Sequence, residues 1–191
     1  TRIADGRLHL DKIGAYLTVV KVRNWRREQL FEETGVPWVN PSPNMRNMNE
    51  AMLYPGIGMI EGTNLSVGRG TDTPFEQLGA PWIEGVKLAA TLNARQLPGI
   101  RFYPVTFTPT SSKYTGEVCR GVFMLITDRR ALRPVRVGIE IASALYTAYG
   151  AQFEVDLALR LLGSPGVIAQ IKAGEDPARI AAPFANDEAR F

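Results

Sequence analysis

Residues 121–128, GVFMLITD, are apolar almost without interruption. A run this short, rich in branched and aromatic side chains, reads as the central strand of a sheet. IRFYPVTFTP (100–109) is a second strand, and Pro104 confines it to an edge or a bulge because proline cannot donate to a ladder. AYLTVVKV (15–22) and IGMIEG (57–62) have the composition of two further strands. Helical spacing takes over elsewhere. Ile83, Val86, Ala90, Ala94 and Leu97 share one face of a helix that Pro98-Gly99 stops. Val137, Ile141, Leu145 and Ala148 mark another, and Phe153, Leu157 and Leu161 a third that Gly163 closes. Strands and helices are mixed without regular βαβ alternation. The expected fold is therefore α+β: a single domain over 1–191, with a mixed β-sheet covered by helices and a helical C-terminal third (134–182).

Local signals refine this outline. NWRREQLFEETG reads as a short helix or turn ending at Gly35. The three prolines of PWVNPSPNM (37–45) forbid regular structure. Asn47 and Glu50 form a capping pair for a short helix that YPG (54–56) ends. Ser164-Pro165 and Asp176-Pro177 each join an N-cap to an N1 proline. Thr73-Pro74-Phe75-Glu76 shows the same grammar, with Glu76 completing a capping box.

Composition excludes several chemistries. Of the 191 residues 45% are hydrophobic and 21% charged, which is ordinary for a soluble globular chain with a real core. Cys119 is the only cysteine and His9 the only histidine, so a zinc site built from several such ligands is out of reach. A Ser-His-Asp triad would have to use His9, which sits in a loose polar stretch. No cofactor or metal is expected. Net charge is +3, but no basic block interleaved with aromatics points to nucleic acid. No apolar run reaches the roughly 20 residues that span a bilayer.

Carboxylates, Lys, Arg, Tyr and backbone amides are left to carry function, and they gather in three polar islands. EGTNLSVGRGTDTPFE (61–76) is the first. Glu61 ends an apolar segment, where an unpaired carboxylate would be costly. Gly68, Arg69, Gly70 and Thr71 precede the expected helix at Thr73, where free amides and a guanidinium would make an anion site. A pair between Arg69 and Asp72 or Glu76 that only fixes the loop is the alternative. TPTSSKYTGEVC (108–119) is the second island, longer than a hairpin needs, with Lys113 and Tyr114 suited to an anion or a sugar. NPSPN (40–44) is the third, and its Asn44 suits sugar hydroxyls.

Taken together, PWVNPSPNM, YPGIGMIEGTNLSVGRGTDTPFEQLGAPWI and FTPTSSKYTGEVCRGV resemble the bacterial DUF1343 or YbbC-like family, associated with exo-β-N-acetylmuramidases that trim peptidoglycan. The likeness runs from about Tyr16 to the end. It implies a two-domain enzyme in a periplasmic or secreted setting, whose N-terminal Rossmann-like domain carries the main catalytic carboxylate. This chain would correspond to the C-terminal, cleft-closing part, with that catalytic domain as its partner. Muramyl sugars are the implied ligands. Arg69 and Lys113 would meet the lactyl carboxylate. Asn44, Thr63, Asn64, Thr71 and Tyr114 would meet amide and hydroxyl groups, and Glu61 would serve as a catalytic carboxylate. A non-catalytic anion- or sugar-binding module, or a scaffold, is the alternative.

Overall fold

The computed structural model describes residues 2–4, 7–9, 18 and 20–190. The chain forms two compact units, 1–37 and 38–191. In the first, β1 (Arg2–Ala4) pairs antiparallel with β2 (Arg7–His9). A single 3-10 turn, Phe31–Thr34, ends at Gly35 with φ 70°. Of the strand expected at 15–22, residues 18 and 20–22 take no regular structure, and the rest lie outside the described residues.

The second unit is built on a three-stranded sheet ordered β3-β5-β4. β3 is Gln77–Ala80, β4 Ile100–Phe107 and β5 Cys119–Ile126. Both pairings are antiparallel, so the described sheet is not mixed; α+β is the class all the same. β5 is the central strand that its apolar run demands. β4 is the edge, where Pro104 costs no ladder bond. The Asn93 amide covers that edge, donating to the Phe102 carbonyl (2.7 Å) and accepting from the Phe102 N–H (3.0 Å).

Helices α1 (Met48–Ile60), α2 (Gly85–Ala94) and α3 (Pro134–Tyr149) form the main cover. α4 (Leu159–Leu162), α5 (Pro165–Lys172) and α6 (Pro177–Arg190) follow, so the C-terminal third is helical. The α1 cap is the predicted one: the Asn47 side chain accepts from Glu50 N, and the Glu50 carboxylate accepts from Asn47 N. α1 does not stop at Tyr54-Pro55-Gly56, however, and residues 57–60 are helix rather than strand. The reason is tertiary. A Cβ on Gly56 would lie 1.9 Å from the Pro134 carbonyl oxygen, and one on Gly138 2.3 Å from that of Gly56. Two glycines let α1 and α3 cross backbone to backbone, and that packing outweighs the bond lost at Pro55.

The face of α2 is also rotated from expectation. Leu88, Ala89 and Leu92 are buried, while Val86, Ala90 and Ala94 are exposed. Gly85 fixes the phase, because a Cβ there would meet the Gly121 oxygen at 2.4 Å. The expected helix through Phe153, Leu157 and Leu161 breaks into a 3-10 turn (Val155–Ala158) followed by α4, with only Phe153 of the three buried.

Candidate functional site

The TPFE segment does not open a helix. Residues 71–76 are turn and bend, and β3 begins at Gln77. There is thus no helix N-terminus in front of Arg69 to supply the free amides expected of an anion site. Glu76 is no capping residue either. Its buried carboxylate accepts from the side-chain amides of Asn47 (2.9 Å) and Asn49 (3.2 Å). Asn49 in turn accepts from Arg129 (3.1 Å). This chain ties the start of α1 to the start of β3. Asn47 was legible only as a cap, and Asn49 and Arg129 gave no local signal, because their partners lie 27 and 80 positions away.

Arg69 finds its anion inside the protein. Its Nε and Nη2 clamp the two oxygens of Glu61, the second at 3.3 Å. This partner is neither Asp72 nor Glu76. The guanidinium also lies over the Phe75 ring, 4.9 Å from the centroid. Phe75 is fully buried, holds φ at 62° and meets Tyr54 edge-on at 4.9 Å. A buried aromatic residue in the left-handed region is strained. Here the strain places a ring beneath the guanidinium.

The second island closes on the first. The Lys113 ammonium donates to the Glu61 carbonyl. Tyr114 Oη donates to the Asn64 carbonyl (2.9 Å) and accepts from Trp82 Nε1 (3.3 Å). Ser112 and Tyr114 have φ of 70° and 60°, so strain recurs at this corner. Glu61, Arg69 and Lys113 thus form one half-buried cluster with two cations to a single carboxylate. Burial lowers the Lys113 pKa; the Glu61 charge opposes that shift and the Arg69 charge adds to it.

Besides Tyr114, three more expected ligand groups turn out to be engaged internally. Thr63 is buried, and its hydroxyl donates to the Ile60 carbonyl (2.7 Å). The Asn64 amide binds the Gln152 carbonyl (2.8 Å) and the Glu154 N–H (3.0 Å), pinning the turn before α4. The Thr71 hydroxyl donates to the Gly68 carbonyl (2.6 Å) and accepts from Gln77 Nε2 (2.8 Å). Asn44, by contrast, lines an open polar groove of about 480 Å³ with Arg46, Thr71, Asp72, Phe107, Thr110 and Ser111. Arg46, which the sequence reading missed, donates to the Thr71 carbonyl (2.9 Å). All three islands therefore meet on one stretch of surface.

Other chemistries find little support. Burial pushes the Cys119 thiol up to about 11, which makes it a poor nucleophile. Among the described residues no cluster of acidic, Cys or His side chains could hold a metal, and no helix is long and apolar enough to cross a membrane.

Comparison with known proteins gives these features a context. The model for the C-terminal domain of exo-β-N-acetylmuramidase NamZ matches residues 52–191, and that for its N-terminal domain matches residues 3–49. Peptidoglycan β-N-acetylmuramidase NamZ of Bacillus subtilis is 45% identical over 142 residues, 74% of this chain and 34% of that protein. The chain thus spans about a third of the length of this relative. Two crystal structures of DUF1343 family proteins from Bacteroides fragilis superpose with TM-scores of 0.63 and 0.57. They are 26% and 27% identical and align with 81% and 79% of this chain and 40% of each of theirs.

Proposed function

The chain belongs to the NamZ family of exo-β-N-acetylmuramidases, and from that premise we propose that it supplies substrate-binding loops to a peptidoglycan glycoside hydrolase that releases terminal N-acetylmuramic acid. The observation that carries this reading is the excess cation of the Glu61–Arg69–Lys113 cluster. Arg69 is neutralised by Glu61, so the role of anion recognition passes to Lys113. A half-buried ammonium beside Tyr114 suits the lactyl carboxylate, the group that distinguishes a muramyl sugar from other hexosamines. Arg69 then acts as a holder, orienting Glu61 from beneath through its stacked guanidinium. Glu61 faces substrate as an acceptor for hydroxyl or amide N–H groups. Glycoside hydrolysis commonly uses two carboxylates, and the N-terminal domain of the family is the source proposed for the main one.

The test is titration of full-length protein with N-acetylmuramic acid and with its lactyl methyl ester, which keeps every group but the charge. Wild type should prefer the acid at least tenfold, and Lys113→Met should erase the preference. Equal affinity of wild type for the two ligands overturns this reading. The internal engagement of Thr63, Asn64 and Thr71 favours a second reading, that of a scaffold holding a partner domain. Full activity of Glu61→Gln and Lys113→Met enzymes would select the scaffold.

A further inference from the structure

One face of α3 carries a polar seam. Glu140, Ser143 and Thr147 stand three and four residues apart, so they lie above one another on the helix. Together with α2 and the turn at 174–176, this face bounds a pocket of about 430 Å³, a size suited to a small molecule. None of its lining residues belongs to the Glu61 cluster.

Most charges around the pocket are saturated. Glu140 is gripped by Arg95 and Arg136, and Asp176 meets Arg95 (2.6 Å) and accepts from the Ala178 N–H (3.0 Å) at the start of α6. These four charges cancel. Two groups are left over. Ser143 is 7% exposed, and its hydroxyl lines the pocket with no hydrogen-bonding partner among the described residues. Buried polar atoms are nearly always paired, so an orphan that faces a cavity is poised to pair with a ligand. The second group is Glu175. Its carboxylate accepts from the neutral Gln170 amide (3.1 Å) and pairs with no cation among the described residues. Its position is fixed by the end of α5. Gly174 is left-handed (φ 71°), its N–H donates to the Ile171 carbonyl (3.0 Å), and the Glu175 N–H donates to that of Gln170 (3.1 Å). Leu92, Ala144, Ala148 and Pro177 supply an apolar lining. The surplus charge is negative, which disfavours an acid and favours a cation.

We propose that this pocket binds a small organic ammonium ion that also bears a hydroxyl. The ammonium pairs with Glu175, the apolar body packs on Leu92, Ala144, Ala148 and Pro177, and the hydroxyl pairs with Ser143. Tyramine, a phenol with an ammonium arm, is the probe. Full-length protein is titrated calorimetrically with tyramine, with 4-ethylphenol, which lacks the ammonium, and with phenethylamine, which lacks the hydroxyl. Wild type should bind tyramine roughly tenfold more tightly than 4-ethylphenol, as a charge-assisted hydrogen bond implies, and about fivefold more tightly than phenethylamine, as a neutral one implies. Glu175→Gln should erase the first preference and Ser143→Ala the second. Neither change threatens the fold, because Glu175 is exposed and the Ser143 hydroxyl has no partner to lose. Ala148→Phe fills the pocket from an exposed helix position and should abolish tyramine binding. No saturable binding of tyramine by wild type, a preference that survives its substitution, or binding that survives Ala148→Phe overturns the proposal.

Discussion

Two arginine–glutamate clusters in this molecule share their chemistry and differ in everything around it. Glu140, on α3, is 1% exposed and is gripped by Arg95 (2.8 Å) and Arg136 (3.3 Å), with Arg95 also reaching Asp176 (2.6 Å). It joins α2, α3 and the start of α6. Glu61 is 22% exposed, meets one arginine, and stands beside a lysine that donates to its backbone rather than to its carboxylate. The first cluster balances its charges among elements of the scaffold. The second leaves a cation over, on loops whose backbone is strained at Phe75, Ser112 and Tyr114. A buried, saturated network fixes architecture, whereas the half-buried, unbalanced one is the cluster for which a ligand-binding role is proposed.

The contrast is broken most directly at Glu140. Glu140→Gln leaves two arginines facing a neutral amide, and removing one partner of a buried pair costs about 3–5 kcal/mol. Both arginines are more than a third exposed, so about 3 kcal/mol is expected, read as a lower urea midpoint. Activity per folded molecule should persist. Glu61→Gln should invert the pattern. At an exposed fraction of 22% its stability cost is about 1 kcal/mol, while muramidase activity of the full-length enzyme falls at least a hundredfold. If Glu61→Gln unfolds the protein as Glu140→Gln does, the two clusters are of one kind.

Lys113 sharpens the comparison through pH. Its pKa is lowered by burial from the ordinary 10.5, so the folded state sheds this proton before the unfolded state does. Between the folded and unfolded values the unfolded chain binds more protons, and stability rises with pH across that interval. Carboxylate binding moves the other way: it needs the ammonium and is lost as pH climbs through the lowered value. The midpoint at which the preference for N-acetylmuramic acid over its methyl ester is lost should therefore lie below pH 10.5. Lys113→Arg should extend the preference to higher pH. A midpoint at or above 10.5 removes Lys113 from the anion site.

How much of this was legible in the sequence depended on the range of the deciding contact. The central β5, the edge placement of β4 and the Asn47–Glu50 cap are set by composition or by residues three apart, and all could be read. The continuation of α1 through Pro55 depends on a glycine of α3 pressed against Gly56, 82 positions later in the chain, which no local pattern announces. The Arg69–Glu61 clamp was missed for a different reason. An acceptable local partner, the imagined helix at Thr73, had already claimed the guanidinium. The islands were legible as unusual polar stretches, but which of their groups remain free was not. The saturation of Thr63 and Asn64 comes from backbone carbonyls and N–H groups, which carry no residue identity, and that of Thr71 from the Gly68 carbonyl together with the Gln77 side chain.

The smallest effect expected comes from two look-alike caps. Thr73-Pro74 and Ser164-Pro165 carry the same signature of a hydroxyl residue followed by an N1 proline. Ser164 is a cap: its backbone is extended (φ −125°, ψ 101°) and its Oγ accepts from Val167 N at 3.4 Å, opening α5. After Thr73 the chain instead turns, with Glu76 N donating to the Thr73 carbonyl (3.3 Å) and Phe75 N to the Val67 carbonyl (2.8 Å). The bond from Phe75 binds that amide to the strand-like segment before Gly68, so a cap hydroxyl has no free donor to receive there. The β3 ladder then fixes the following residues as strand, with Gln77 opposite Phe123. Ser164→Ala should therefore lower stability by about 1 kcal/mol, the usual worth of an N-cap hydroxyl. Thr73→Ala should change it by less than about 0.5 kcal/mol, as at an ordinary surface position. Paired urea titrations of the two variants measure the difference. Equal losses would mean that residues 73–76 fold as the helix start the sequence suggests, and with it the anion site ahead of Arg69 would return.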